Sequence, residues 1–477
     1  MKFSYLIGLI LFITCSEGPT FERNNSNDPK SDSFEPDFTE SFSENLRTVE
    51  FNVIRSDISS EKFEKTISIK WPEVEKSYSY SYKVSKIDMY GLEEFVGEFD
   101  KETTSIQDTI LKPGFYTYKI KILLHDFGIE SAHSFGELNF SHIIEGPKMH
   151  SDVHWWGVDV VQLDENRIMV TNPTIYSRFK SGVYDSETKA WQNIPNPPNG
   201  DNPRTHIISD DRAVRLDKNG YSFLDLETLT WFGYSNWSLD HYFYSAFFNT
   251  KSILITEYLG SKVYLFDTET KALRQTSSTS KIKKIETLIK VRNDIALAIG
   301  SDSETEKSYT IELYDLNTKN WKKLNDLSVG FYNPRAHRLN QNEVLIFERR
   351  GPNENPTKVL KYNFLNEKQE VVGSLEERQP ILTRLPNLPV YSFSQNGNEV
   401  IIFISPTKPD AMIAYQIYNQ ELNTLSKPVH HFRYDPTTTL EFKATLTSQI
   451  GWGKLPNGDI LLVSDNEQTA IFKLSYQ

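Results

Sequence analysis

One cysteine, Cys15, occurs in 477 residues. A disulfide scaffold and any multi-cysteine zinc or iron–sulfur site are thereby excluded. Basic residues are in deficit, 52 against 64 acidic, for a net charge of −12. Nucleic-acid binding needs a concentrated basic surface opposite phosphate, so no nucleic-acid partner is expected. Catalytic signatures are missing as well: there is no G-x-S-x-G, H-E-x-x-H, P-loop, paired C-x-x-C, EF-hand loop or sialidase-type Asp-box. What is abundant is aromatic side chain, 13% of the chain, which argues for packed cores rather than a disordered polymer.

The chain opens with Lys2, then the apolar run Tyr5 to Thr14 (YLIGLILFIT), then Cys15. A spanning helix needs about 20 apolar residues, and this run falls short of that. It reads as the h-region of a secretory signal over residues 1–14. With Cys15 at its boundary, the segment resembles a bacterial lipoprotein signal. Phe12 and Thr14 stand where that signal usually has leucine and a small residue. The resemblance implies lipidation of Cys15 and a membrane anchor. A plain signal with an incidental cysteine is the other possibility. Residues 15–45 then run rich in Ser, Asn, Asp, Glu and Pro, a composition that cannot bury enough apolar area to offset chain entropy. They are expected to form a disordered tether.

Residues 46–146 alternate with period two: Ile67, Ile69 and Trp71, then Tyr78, Tyr80, Tyr82 and Val84, then Tyr116, Tyr118, Ile120 and Ile122. Such alternation predicts strands with one buried face and hence a two-sheet sandwich. The stretch ISIKWPEV (Ile67 to Val74) resembles the tryptophan-bearing strand of fibronectin type III domains. LKPGFYTYKIKI (Leu111 to Ile122) resembles that family's turn into its tyrosine-corner strand, with Tyr116 as the corner residue. Trp71 and these tyrosines are therefore expected in the core and on the sheet faces.

Beyond Pro147 the sequence repeats itself. The units YDSETKAW, LDLETLTW, FDTETKAL and YDLNTKNW carry Asp185, Asp225, Asp267 and Asp315, and weaker copies carry Asn363 and Asn419. An Asp or Asn there can bond its own following backbone and start a turn. Apolar segments precede each copy, such as NRIMV at Asn166, KSILI at Lys251 and GDILLV at Gly458. Units of ~40–50 residues with four short strands are the blades of a β-propeller. The hairpin, and a second repeat at Asn202 to His206 and Asn333 to His337 (NPR-x-H), resemble the Kelch family across residues 147–477. That family's diglycine is absent; the matching places read Thr171-Asn172, Ile299-Gly300 and Arg350-Gly351. The expected fold is all-β: a fibronectin type III-like sandwich followed by a Kelch-like propeller of seven blades, six being the alternative count. A strand from around Leu138 to Ile144 is expected to close the ring, which removes open edges.

Innermost strands line a propeller's central channel, so polar residues near their starts converge at its mouth. On that ground the candidate ligand-binding residues are Trp155, Trp156, Arg204, His206, Arg335, His337 and Trp452, with His154 and His241 nearby. Arg, His and Trp could hold an acidic or sugar-like ligand by hydrogen bonds and stacking. Alternatively the duplicated Arg and His bond neighbouring backbone carbonyls and hold the blades in register. Trp191, Trp231 and Trp321 recur at one hairpin position and are expected to pack blades. No cofactor or metal-ligand set is implied, and the basic run Lys281 to Lys284 and acidic run Ser301 to Glu306 read as exposed loops. Galactose-oxidase-like chemistry needs a cysteine joined to a tyrosine, and Cys15 lies in the signal. The leading expectation is a non-catalytic lipoprotein of the bacterial cell envelope that binds a protein or glycan through its propeller. The alternatives are an envelope carbohydrate-active enzyme and an architectural protein with no small ligand.

Overall fold

A computed structural model describes residues 49–58, 63–71, 79–125, 129–130, 134–147, 159–171, 181–197, 203–237, 239–240, 243–249, 251–259, 262–276, 279, 282–302, 309–327, 334–347, 357–376, 392–395, 397–404, 411–432, 450–464 and 469–473. Among them the regular structure is entirely β. Residues 1–48, with the expected signal, Cys15 and the tether, lie outside the described residues.

The N-terminal unit has two sheets. Glu50–Ile58, Phe63–Lys70 and Ser105–Ile110 form one; Glu93–Asp100, Tyr80–Ile87, Gly114–Leu124 and Ile129–Glu130 form the other, with Ser134–Phe140 also pairing Gly114–Leu124. The alternating residues of both sheets meet in one core that includes Ile67, Ile69, Tyr82, Val84, Ile120 and Ile122. Fully burying such a side chain contributes about 1.5–3 kcal/mol, which drives the two apolar faces together. Trp71 is buried among them, its Nε1 donating to Thr103 O at 2.8 Å and its ring 4.8 Å from that of Tyr82. The Tyr116 hydroxyl donates back to Lys112 O at 2.8 Å and ties the preceding turn to its strand.

The repeats fold as successive antiparallel sheets, the first five of four strands each in chain order. Sheet one spans Asp159–Gln162 to Ala190–Ile194, sheet two Arg204–Ser209 to Thr230–Asn236, and sheet three Phe243–Asn249 to Ala272–Gln275. Sheet four spans Lys284–Lys290 to Asn320–Lys323, and sheet five Arg335–Arg338 to Lys368–Leu375. Sheet six starts at Ser392–Gln395, and its third strand, Ala411–Asn419, pairs with both Thr424–Leu425 and Val429–Phe432. Sheet seven joins Ile450–Lys454, Ile460–Ser464 and Thr469–Phe472 to Ile143–Glu145, which comes from before sheet one. That last strand overlaps only the end of the segment expected to close the array; Leu138 lies in Ser134–Phe140 of the N-terminal unit.

Adjacent sheets share their cores. Met169 shares a buried cluster with Leu224, Phe223 with Ile253, Leu254 with Ala298, Ile299 with Ile346, Phe347 with Ile402, and Tyr415 with Leu462. Val463 then packs with Ile168 and returns the series to sheet one. Each second strand is covered on both faces, which is why its sequence is a continuous apolar run rather than an alternation. Ile253, Leu254 and Ile255 are all fully buried. First strands of sheets one to five touch in succession, and that of sheet seven touches that of sheet one, so they form the inner layer. The result is an all-β, propeller-like fold.

The six Asx hairpins share one mechanism. Asp185 Oδ1 accepts from the backbone N–H of Glu187 and Thr188, both at 2.9 Å. Asp225, Asp267 and Asp315 accept from the residues two and three positions on in the same way. So do Asn363 and Asn419. Four residues after each Asx, a non-glycine residue has positive φ: Lys189, Leu229, Lys271, Lys319, Glu367 and Asn423. The tryptophans fix hairpins to the preceding element, Trp231 Nε1 donating to Pro195 O and Trp191 Nε1 to Pro147 O.

Candidate functional site

The two NPR-x-H copies occupy equivalent register positions. Arg204 lies opposite Leu216 and His206 opposite Val214 in sheet two; Arg335 lies opposite Phe347 and His337 opposite Leu345 in sheet five. Alternation along the strand puts the Arg and His of each copy on one face. Sheets three and four separate the two copies, so each acts on its own neighbours.

His206 Nε2 lies 2.8 Å from Ser245 Oγ on the first strand of sheet three. His337 Nδ1 lies 2.8 Å from Ser392 Oγ on the first strand of sheet six. Both imidazoles are held neutral at neutral pH. Burial pushes His206 down to about 4, aided by the charge of Arg204, and burial likewise pushes His337 down to about 4. Arg335 Nη1 donates to Glu286 O on sheet four, and Thr287 Oγ1 of that sheet donates to Pro334 O at 2.8 Å. These side chains link first strands of neighbouring sheets, Arg335 through a backbone carbonyl and the histidines through serine hydroxyls. Arg204 differs: among the described residues its guanidinium has no hydrogen-bond or ion-pair partner.

Trp452 sits opposite Leu462 in sheet seven, half-buried against the cluster that sheets six and seven share. His154, Trp155, Trp156 and His241 lie outside the described residues. Sequence reasoning missed the partners Ser245, Glu286 and Ser392, and also Arg215, a buried arginine whose Nη1 donates to Thr171 Oγ1 of sheet one at 3.1 Å. Ser245 stands as a polar residue in an otherwise largely apolar strand, while the strands of Glu286, Ser392 and Arg215 carry other polar residues and offer no such signal. Among the described residues no group of three or more His, Cys, Asp or Glu could hold a metal ion.

The N-terminal unit is docked on sheets six and seven. Tyr90 Oη donates to Glu399 Oε1 at 2.8 Å, and Lys427 N donates to Met89 O at 2.9 Å. Ser141 Oγ lies 2.8 Å from His431 Nδ1, and Asn139 Oδ1 accepts from His430 N at 3.1 Å. Phe115 and Ile143 enter the same apolar cluster as Ile401 and Leu462.

No protein-family model and no curated protein matches the sequence. Among solved structures the chain is similar to an oligogalacturonate lyase in complex with manganese, at 10% identity and a TM-score of 0.45, covering 76% of this chain and 94% of that one. It is also similar to TolB from Acinetobacter baumannii, at 13% identity and a TM-score of 0.37, covering 67% and 77%. A third is an oligogalacturonate lyase from Vibrio parahaemolyticus, at 12% identity and a TM-score of 0.43, covering 69% and 96%.

Proposed function

We propose that this protein is a non-catalytic binding module of the bacterial cell envelope. A seven-bladed, divergent Kelch-like propeller over residues 147–477 presents the binding surface to a protein or glycan. A fibronectin type III-like sandwich over residues 46–146 carries it, and a lipid on Cys15 with the tether of residues 15–45 holds it to the membrane, residues 1–14 being removed. The observation that carries the non-catalytic reading is the use of His206 and His337. The two histidines best suited to acid–base work are half-buried, neutral at pH 7 and bonded to serines of the next sheet. A general base needs a free ring nitrogen facing substrate and a pKa near the working pH. The Tyr116-to-Lys112 bond and buried Trp71 favour the fibronectin type III-like assignment, and the Asx hairpins favour the Kelch-like one.

The test is an array of bacterial glycans and envelope proteins probed with the chain from residue 16 onward. Saturable binding to a member that is recovered unchanged supports the module. Turnover of a bound glycan, or no binding to anything, overturns it. The anchor is tested by labelling cells with a palmitate analogue: label should appear in the wild type and vanish in Cys15→Ala, and an unlabelled wild type refutes lipidation.

A further inference from the structure

Two cavities open on the side of the sheets that carries the Asx hairpins. One of about 590 Å³ lies between sheets three and four and is lined by Phe247, Phe248, Lys290, Asn293, Leu316 and Asn317, together with Asp294. The other, about 230 Å³, lies between sheets four and five against Arg292, Arg338 and Gln341. Asn293 and Asp294, in the turn between the first and second strands of sheet four, line both cavities.

Lys290 ends the first strand of sheet four and Arg338 ends that of sheet five. Lys290 Nζ donates to Phe248 O at 3.2 Å, and Arg338 Nε reaches Asn340 O at 3.4 Å. Neither has a carboxylate at ion-pair distance among the described residues. Burial, and then the charge of Arg338, push the Lys290 ammonium below the usual lysine range. Asp294, the one carboxylate lining the cavities, accepts from Asn317 Nδ2 at 2.8 Å. Arg292 is engaged with Gln341 O at 2.9 Å, with Asn342 and with the ring of Phe364. Lys290 borders the larger cavity and Arg338 the smaller, and Asp294, whose carboxylate lines both, is at ion-pair distance from neither, so the two cations are left for an anion to stabilise. The larger cavity holds far more than a bare oxyanion, and an aromatic wall and several amides surround it.

We propose that these two neighbouring cavities together bind an acidic sugar. Its carboxylate sits against Lys290 and Arg338, its hydroxyls meet the amides of Asn293, Asn317 and Gln341, and an apolar sugar face lies on Phe247. This inference rests on the reading of the propeller as a protein- or glycan-binding module and names the ligand class.

Saturation-transfer NMR and calorimetry on the chain from residue 16 onward, with D-glucuronate, D-glucose and inorganic sulfate as probes, test it. Glucuronate should bind at least about tenfold more tightly than glucose, the worth of one charge-assisted carboxylate contact, and more tightly than sulfate. Lys290→Gln and Arg338→Gln should each weaken glucuronate about tenfold, and Lys322→Gln, on the outer strand of sheet four, should not change it. Arg338 is exposed, so its variant remains folded where Lys290→Gln does not. Equal binding of glucose and glucuronate, sulfate binding as tight as glucuronate, or affinity unmoved by both variants overturns the proposal. An array ligand still bound by the double variant sinks this site and leaves the module standing; an array with no ligand sinks both.

Discussion

His206 Nε2 and Ser245 Oγ, 2.8 Å apart, join the first strands of sheets two and three. The histidine is intermediate in exposure, and burial holds its pKa down to about 4. An unfolded histidine titrates near 6.5, so between those values the unfolded chain binds the extra proton. Stability contributed by the neutral ring is therefore present above about pH 6.5 and lost as pH falls toward 4. His337 obeys the same sign. Because both residues keep some surface in solvent, the loss amounts to about 1–3 kcal/mol each. Denaturant unfolding at pH 7.5 and 5 should show a fall that His206→Gln reduces. A variant with the wild-type pH slope would disprove the assignment.

Asp225 accepts from two backbone N–H groups and the Thr228 hydroxyl, and those bonds, led by the Thr228 N–H, hold its carboxyl below the usual range. A depressed carboxyl stabilises the fold above its unfolded pKa, and that stabilisation is lost as pH falls through the folded value. Asn363 and Asn419 do the same work without a charge. Asp225→Asn should keep the melting temperature at pH 7 and flatten its fall under acid, while Asp225→Ala lowers it at both. Equal melting of the two variants at pH 7 would show that the side-chain acceptor is irrelevant.

How much of this was visible beforehand depended on how local the interaction was. The Asx hairpin closes within five residues, so its pattern survives in the sequence at all six copies. Trp71 and Tyr116 were legible for the same reason: their motifs describe one strand and its turn. Ser245 lies 39 residues beyond His206, and only the stacking of sheet three on sheet two brings them together. Lys290 and Arg338 belong to no motif; what unites them is that each ends a first strand in adjacent sheets. A sequence pattern could place such residues at strand ends but could not show that those strands are neighbours.

Lys189 holds a φ of 53° in an exposed turn, in the left-handed region that a Cβ disfavours. Glycine enters that region without the steric cost, offset partly by the extra freedom it has when unfolded. Lys189→Gly should stabilise the protein by about 0.5–1 kcal/mol in urea titration. The same change at Leu229, which is buried, should destabilise it, since a packed side chain is lost as well. Destabilisation by Lys189→Gly would mean that the lysine side chain stabilises the turn more than its backbone strains it.

Tyr90 Oη donates to Glu399 Oε1 at 2.8 Å, and burial, then the Glu399 charge, push the phenol well above its ordinary range. The phenol is therefore protonated, and a donor, at neutral pH. Tyr90→Phe leaves Glu399 with the Asn419 amide at 3.4 Å and removes a bond to a charged acceptor, at a cost of about 1.5–3 kcal/mol. That cost falls on the docking of the N-terminal unit to sheet six, because neither residue lies in the shared core around Trp71. Hydrogen exchange at Lys427 N–H, which donates to Met89 O, should quicken in the variant, while amides beside Ile67 and Ile120 hold their protection. A sandwich that served only as a loosely strung spacer would leave Lys427 exchange unchanged, and that result would refute the docked arrangement.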